Sequence, residues 1–287
     1  MKITYSQFRK DKYFFLKYFI FQFSYSLALA ALGYYIYDFS QSYSFSLEHL
    51  LLIPVAFVFG MQLPVWFHNS CHLNFKKMWM NDLVGEFCGY FVLYGNGAFR
   101  ICHPMHHANP DVDGKDTHNP QGQTYWQFVL GSQVTAIKCV MSEYFTRFGK
   151  NPETITIMAV QMVFYYASIL IRVVSFWLLL GPTLFIFFFV PTLITQFLAF
   201  AHLNYVTHIE NEDGEIEIIN KDGGVFYTVM NFLSNGAYYH KNHHMKPNLY
   251  NPKYLHGKPE RSFNLSSLIP QPSLMRIKSV LLALIRI

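Results

Sequence analysis

Four stretches of the chain are apolar and long enough to cross a lipid bilayer, which takes about 20 helical residues. The linker DFSQSYSFS joins the first stretch to the second, and little more than Gly181 and Pro182 joins the third to the fourth. Neither linker contains Lys or Arg. We therefore expect four membrane-spanning helices in two pairs, at roughly residues 13–37, 47–67, 156–180 and 183–205.

The basic residues indicate on which side of the membrane the remaining segments lie. Nearly all Lys and Arg fall in the N-terminal segment, in residues 68–155 and in residues 206–287. Segments rich in Lys and Arg tend to stay on the cytoplasmic side of a membrane. The sequence thus predicts an all-α, polytopic protein that forms one integral-membrane domain over residues 1–287, with a cytoplasmic helical cap at 68–155 and 206–287.

Shorter segments complete this topology. Residues 83–102 contain only two charged residues but four glycines, and residues 225–239 are similarly apolar, so both are predicted to lie in or near the membrane interface. The C-terminal residues 272–287 suit an amphipathic helix on the membrane surface. The acidic stretch Glu210–Glu217 predicts a solvated hairpin or turn. Arg172, inside the third stretch, is expected to snorkel or to be paired within the protein.

The composition supports a membrane protein and disfavours other classes. Hydrophobic residues make up 52% of the chain and charged residues 14%, whereas an average soluble domain has about 25% charged residues. The net charge of +5 comes from residues beside the apolar stretches rather than from a basic stripe, so we expect a membrane and no nucleic acid as partner. The four cysteines show no CxxC spacing and are expected to be reduced thiols.

Histidine is the residue type that points to function, with 13 copies in the chain. Eight of them form the motifs HNSCH, HPMHH and HKNHH, and in helices the spacing of three and four residues places the imidazoles of each motif on one face. Such a face can supply several ligands to a metal. The residues concerned are His68, His72, His103, His106, His107, His240, His243 and His244. His49 and His256 lack this spacing and are assigned structural roles.

The number and type of these side chains restrict the metal site. Neutral imidazole binds zinc, copper, iron and nickel, and eight histidines exceed what one ion can bind. Structural zinc takes four ligands, often cysteines, and hydrolytic two-metal sites usually contain bridging carboxylates. The motifs HExxH and Glu-x-x-His of other metalloenzymes are absent from the histidine clusters. A histidine-rich di-iron centre at a membrane face remains.

The order HxxxH, HxxHH, HxxHH between paired spans resembles the membrane fatty acid desaturase/hydroxylase superfamily, over roughly residues 45–255. The stretch HHANPDVDGKDTHNP is similar to the segment that follows the second histidine box in desaturases, with Thr117 in place of a proline. The segment LNYVTH matches the family's NxxxH element. The resemblance implies that His208 is a ninth iron ligand and Asn204 a nearby partner, with His202 as the competing ninth ligand.

Other polar residues near the motifs receive supporting roles. Asp113, Asp116 and Glu210 could orient ligand imidazoles through the second ring nitrogen, or be ordinary loop acids. His118 is expected to contact the ligand histidines or to face the substrate rather than to bind metal. No catalytic residue separate from the metal ligands is expected.

The resemblance implies an oxidoreductase that uses two non-haem iron ions and dioxygen to introduce a double bond into a long acyl chain. The alternative is a hydroxylase or ketolase of alkyl, acyl or carotenoid substrates. The sequence contains no flavin or dinucleotide fingerprint and no haem domain, so electrons are expected from an external ferredoxin- or cytochrome-type donor. A metal transporter or a membrane zinc hydrolase are the other classes considered. The compact length and the lack of an endoplasmic-reticulum retention signal predict a bacterial inner membrane, with the site facing the cytoplasm.

Overall fold

The computed structural model describes residues 3–37 and 45–255, and the statements below concern these residues. They form ten α-helices: α1 (Tyr5–Phe8), α2 (Phe14–Ile36), α3 (Leu52–Cys71), α4 (Met78–Phe91), α5 (Asn96–Ala108), α6 (Tyr125–Phe148), α7 (Pro152–Leu184), α8 (Val190–Thr207), α9 (Gly224–Leu233) and α10 (His240–Met245). Short 3₁₀ turns occupy Leu47–Leu51 and Pro252–Tyr254, and a π-helical segment occupies Phe185–Phe189. The predicted C-terminal amphipathic helix and His256 lie outside the described residues.

One small departure from the predicted all-α fold lies in the acidic stretch. Strands β1 (His208–Glu210) and β2 (Ile216–Ile218) pair antiparallel, with His208 opposite Ile218. The expected hairpin is therefore confirmed. It also fixes the backbone of His208, which lies at the start of β1 directly after α8.

Three helical stretches are long and apolar enough to cross a membrane: Phe14–Ile36, Leu47–Cys71 and Pro152–Thr207. The third contains both of the later predicted spans and has 56 residues. As one straight helix it would be about 84 Å long, far more than the roughly 30 Å of a hydrocarbon core. It is broken at Gly181, whose φ of 69° and ψ of 170° are not helical, and the π-helical segment follows four residues later.

The two halves of this long stretch follow different partners. α7 runs in the same direction as α2, since Lys12 pairs with Glu153 at 2.6 Å near their starts and Gly33 packs on Leu178 near their ends. α8 runs along α3, where the Thr192 hydroxyl donates to the Ala56 carbonyl at 3.3 Å.

Local sequence sets the limits of the helices that lead into these pairs. Thr124 caps α6 in a reciprocal arrangement with Gln127, and Asn151 caps α7 with a proline in its first turn. Gly149, with a φ of 77°, ends α6 in a conformation that suits glycine.

Arg172 is fully buried in α7 and is paired with backbone carbonyls inside the protein, as expected, although its Nη2 has no partner among the described residues. Its Nε donates to the Ser168 carbonyl at 3.2 Å and its Nη1 to the Gly89 carbonyl at 3.1 Å. His49, in the 3₁₀ turn before α3, packs its ring on Phe187 at 5.5 Å. That contact lies at the end of α3 opposite to its histidines, which agrees with a structural role.

The predicted interfacial segment 83–102 is placed differently from expectation in its second half. It forms the end of α4 and the start of α5, and α5 is buried almost throughout. Burial is possible because Arg100 is neutralised by Asp82 at 2.5 Å and donates to the Ser70 carbonyl at 3.3 Å. α5 therefore lies inside the protein, where it carries the second histidine motif.

Candidate metal centre

Four elements bring nine histidines together. The last turn of α3 and its C-cap residue carry the first motif, α5 carries the second and α10 the third, while β1 begins at His208. The structure divides them into two groups, within each of which the candidate ligand atoms all lie within 4.8 Å of one another. The five-histidine group consists of His68, His72, His103, His107 and His243, and the four-histidine group of His106, His208, His240 and His244. These are the nine residues that the sequence singled out.

The two groups are adjacent. His106 and His107 are neighbours on α5 but belong to different groups, and the rings of His107 and His244 lie with centroids 4.4 Å apart. Two metal ions held by these groups would therefore share one pocket rather than occupy separate sites.

The separations between ring nitrogens fit metal coordination. Within the five-histidine group, Nε2 of His72 lies 2.8 Å from Nε2 of His103, and Nε2 of His243 lies 2.9 Å from Nε2 of His107. In the four-histidine group, Nε2 of His240 lies 3.1 Å from Nε2 of His208. Imidazole nitrogens about 2.0–2.1 Å from one ion and at right angles to each other would be about 2.9 Å apart.

Two carboxylates fix the orientation of rings in the four-histidine group. Asp116 contacts Nδ1 of His106 at 2.8 Å, and Asp111 contacts Nδ1 of His208 at 2.7 Å. A carboxylate accepts the proton of Nδ1, so Nε2 of each ring is left as a lone pair for a metal. Asp116 also accepts from the backbone N–H of Asp111 and of His118, both at 2.7 Å, so both of its oxygens are engaged.

The contact of Asp116 was expected, whereas Asp111 was missed. Asp113 and Glu210, which were considered for this role, make no hydrogen bond to the nine histidines in the described structure. Sequence alone does not distinguish the acids of one loop, because the choice depends on how that loop meets β1. The one local signal is the position of Asp111 next to Pro110, where it adopts a φ of 60° that Asp tolerates better than most residues.

Burial favours the neutral form of most of these imidazoles. It lowers the pKa of His103, His106, His240 and His243 well below the usual value, and neighbouring imidazoles lower it further. Burial likewise lowers the pKa of His107 to about 4. Neutral rings with lone pairs directed at one another repel unless a cation lies between them.

An unpartnered ring nitrogen also indicates a bound cation. The buried Nε2 of His106 has no hydrogen-bond partner among the described residues. Because a buried polar atom normally has a partner, this nitrogen fits a metal ligand. The residues present therefore fit bound metal ions.

The remaining predicted site residues surround the groups without joining them. Nδ1 of His202 lies 2.8 Å from the Tyr238 hydroxyl, and His202 is in neither group. Asn204 donates to the Phe200 carbonyl at 2.9 Å. His118 lies 5.4 Å from His106 between ring centroids, and burial lowers its pKa to about 3. His118 forms a smaller cluster with His106 and Asp116.

Two apolar cavities adjoin the histidines. Four histidines form part of the wall of the first cavity: His68, His103, His240 and His243. Its other lining residues include apolar side chains of α3 and α8, among them Met61, Val65, Phe200 and Leu203. The second cavity contains His118 among mainly apolar residues. Pro64 and Phe200 line both cavities, so the two spaces are adjacent.

Nine converging imidazoles beside apolar cavities, at the ends of long apolar helices, define a membrane protein with a histidine-lined metal centre. The family model described as fatty acid desaturase matches residues 44–259, about three quarters of the chain and all nine histidines. The chain belongs to the fatty acid desaturase family, whose members are oxygen-dependent oxidoreductases. The resemblance noted from the motifs is thus confirmed. Searches of curated proteins and of solved structures gave no match.

Proposed function

We propose that this protein is a membrane-bound, non-haem di-iron desaturase that uses dioxygen to introduce a double bond into a long acyl chain. The observation that carries the proposal is the pair of adjacent imidazole groups with four of their rings in the wall of an apolar cavity. A cavity of this kind can bind a hydrocarbon chain directly beside the metal ions.

The two histidine groups are the proposed iron sites, one ion in each. Five imidazoles exceed the four ligands of ordinary structural zinc, and imidazole is a good ligand for iron. Bound there, iron and dioxygen would supply the oxidising power for an unactivated C–H bond. The residues of the chain would hold the ring nitrogens in place through Asp111 and Asp116, exclude water and position the alkyl chain.

The arrangement of the helices supports four membrane crossings in two pairs. The break at Gly181 divides the 56-residue stretch into one part that follows α2 and one that follows α3. Each part is then long enough for one crossing. With the Lys- and Arg-rich segments inside, the histidine groups would face the cytoplasm, and we propose the bacterial inner membrane as the location and one integral-membrane domain as the organisation.

The proposal requires an electron donor outside this chain, of the ferredoxin or cytochrome type. A hydroxylase or ketolase acting on alkyl, acyl or carotenoid substrates is the second candidate. The segment from Asn204 to His208 favours it, because it also matches the NYxxH element of alkane hydroxylases.

Product analysis separates these two reactions. We expect a host that expresses the protein to accumulate lipids with new double bonds, measured by mass spectrometry; added oxygen atoms would instead indicate hydroxylation or ketolation. His107→Ala should lose the iron of the five-histidine group and should lose the product, while the protein still inserts into the membrane. His202→Ala is the matched control and should retain both, since His202 lies outside the two groups. Product formation by His107→Ala would contradict the proposed site.

A further inference from the structure

The second cavity is lined by two buried side chains, each of which has a hydrogen-bonding group without a partner among the described residues. Gln196, on α8, is 8% exposed, and His118 is 6% exposed. Both line the cavity. Within the described residues the amide group of Gln196 makes no hydrogen bond, and neither does Nε2 of His118. Unpartnered polar groups are costly in an apolar environment, which indicates that these two groups bind something from outside the chain.

Thr117 determines which nitrogen of His118 carries the proton. The Thr117 hydroxyl donates to the Cys102 carbonyl at 3.0 Å and lies 2.7 Å from Nδ1 of His118. A hydroxyl has only one hydrogen, so once it donates to the carbonyl its oxygen accepts from Nδ1. His118 is then protonated on Nδ1, and its Nε2 is a hydrogen-bond acceptor.

Gln196 and His118 line the same cavity and are linked through Phe200. Gln196 and Phe200 are four residues apart on α8 and therefore share one helical face. The Phe200 ring packs on His118 with centroids 5.3 Å apart. Most of the remaining wall is apolar, formed by Phe67, Phe99 and Phe197 among others. Tyr94, Ser132 and Gln133 also line it, but the Tyr94 hydroxyl donates to Sγ of Cys102 at 3.1 Å, the Ser132 hydroxyl donates to the Val129 carbonyl at 3.4 Å, and Gln133 is exposed. Among the described lining residues, Gln196 and His118 are therefore the buried polar side chains that have an unpartnered hydrogen-bonding atom.

The chemistry of these two side chains selects a hydroxyl. Gln196 offers an N–H donor and a carbonyl acceptor, whereas Nε2 of His118 only accepts. A hydroxyl can donate to His118 and accept from Gln196 at the same time; a ketone can only accept, and an alkyl chain can do neither. A charged group is disfavoured because no oppositely charged side chain lines this cavity.

We propose that Gln196 and His118 form a subsite for a hydroxyl group on a long-chain lipid. The first and second cavities share Pro64 and Phe200, so a chain bound beside the histidine groups could extend into the second cavity. This inference rests on the proposed function and specifies its substrate class as an oxygen-bearing chain. His118 is a binding residue here, and its ring centroid lies 5.4 Å from that of His106 in the four-histidine group.

A binding series tests the subsite without turnover. The purified full-length protein in detergent is titrated with methyl octadecanoate, its monohydroxy positional isomers and the corresponding ketones. One hydroxy isomer should bind about tenfold more tightly than the parent ester, as expected for two hydrogen bonds of ordinary net strength. The matching ketone should fall between the two.

Gln196→Leu provides the decisive variant, because it removes the amide and keeps the side chain's approximate size. It should bind the parent ester as the wild type does and lose most of the tenfold preference. Gln161→Leu is the matched control, since Gln161 is a buried glutamine that lines a different apolar cavity. It should keep the preference.

Equal binding of all isomers, or a preference that survives Gln196→Leu, would overturn the subsite. These outcomes are separate from the proposed function. Lipid oxidation without a binding preference for a hydroxyl would support the proposed function and contradict the subsite. A binding preference for a hydroxyl without lipid oxidation would support the subsite and contradict the proposed function.

Discussion

The two histidine groups are held in different ways. In the four-histidine group, Asp111 and Asp116 contact Nδ1 of His208 and His106. In the five-histidine group, no carboxylate contacts a ring within the described structure, and Nδ1 of His103 and of His243 is buried without a partner. The first group is therefore oriented by charged hydrogen bonds, and the second depends on helix geometry and packing.

The second cavity shows how packing acts in the five-histidine group. Phe99, in the wall of that cavity, stacks on His103 with centroids 5.0 Å apart and planes 12° from parallel. Three rings of this group also line the first cavity, against one ring of the four-histidine group. The group without carboxylates thus has the larger share of its rings in the wall of the first cavity, where we propose that the alkyl chain binds. An apolar surround suits that position, since charged partners there would attract water.

The largest effect is expected from removing one ligand of either group. His243→Ala should lose the iron of the five-histidine group, and His240→Ala should lose the iron of the four-histidine group. Product formation should fall more than about 100-fold in each variant. This exceeds the 10–100-fold loss that is typical when a residue hydrogen-bonded to a metal ligand is replaced. Iron per chain, measured by elemental analysis, should fall from two to one in each. A variant that retains both ions would show that its histidine is not a ligand.

Asp111→Asn tests the role of the carboxylates with a nearly isosteric change. Loss of the charged acceptor should weaken iron binding in the four-histidine group by about 10–100-fold. Iron retained during a chelator titration measures this. Asp113→Asn, in the same loop but without a hydrogen bond to the nine histidines, is the control and should behave as wild type. Equal effects of the two variants would contradict a specific contact.

Phe99→Leu tests packing in the five-histidine group and should have the smallest effect. The change conserves apolar character but removes the stacked ring, so the free energy of unfolding should fall by about 1 kcal/mol. Thermal unfolding in detergent measures the change. Iron content should stay at two per chain. Loss of iron in this variant would mean that the stacking, rather than the helix, positions His103.

The difference between the two groups also explains what could be predicted from the sequence. The spacing within α3, α5 and α10 is a local property, so the eight box histidines follow directly from the motifs. His208 required the family resemblance, because it follows α8 alone. Asp111 could not be distinguished from Asp113, since only the contact between their loop and β1 decides which acid reaches a ring.

The placement of the helices could likewise be predicted only where it depends on local sequence. The break near Gly181 was visible as a Gly-Pro pair, and the structure has its non-helical residue there. The burial of α5 was not visible, because its charged residue suggested an interface. Arg100 is tolerated inside only through Asp82 and the Ser70 carbonyl, which are distant in sequence.

The most direct test of the account is the metal content of the purified wild-type protein. Two iron ions per chain, both lost when the nine histidines are replaced by alanine, are the predicted result. One zinc ion per chain with no iron would contradict the account.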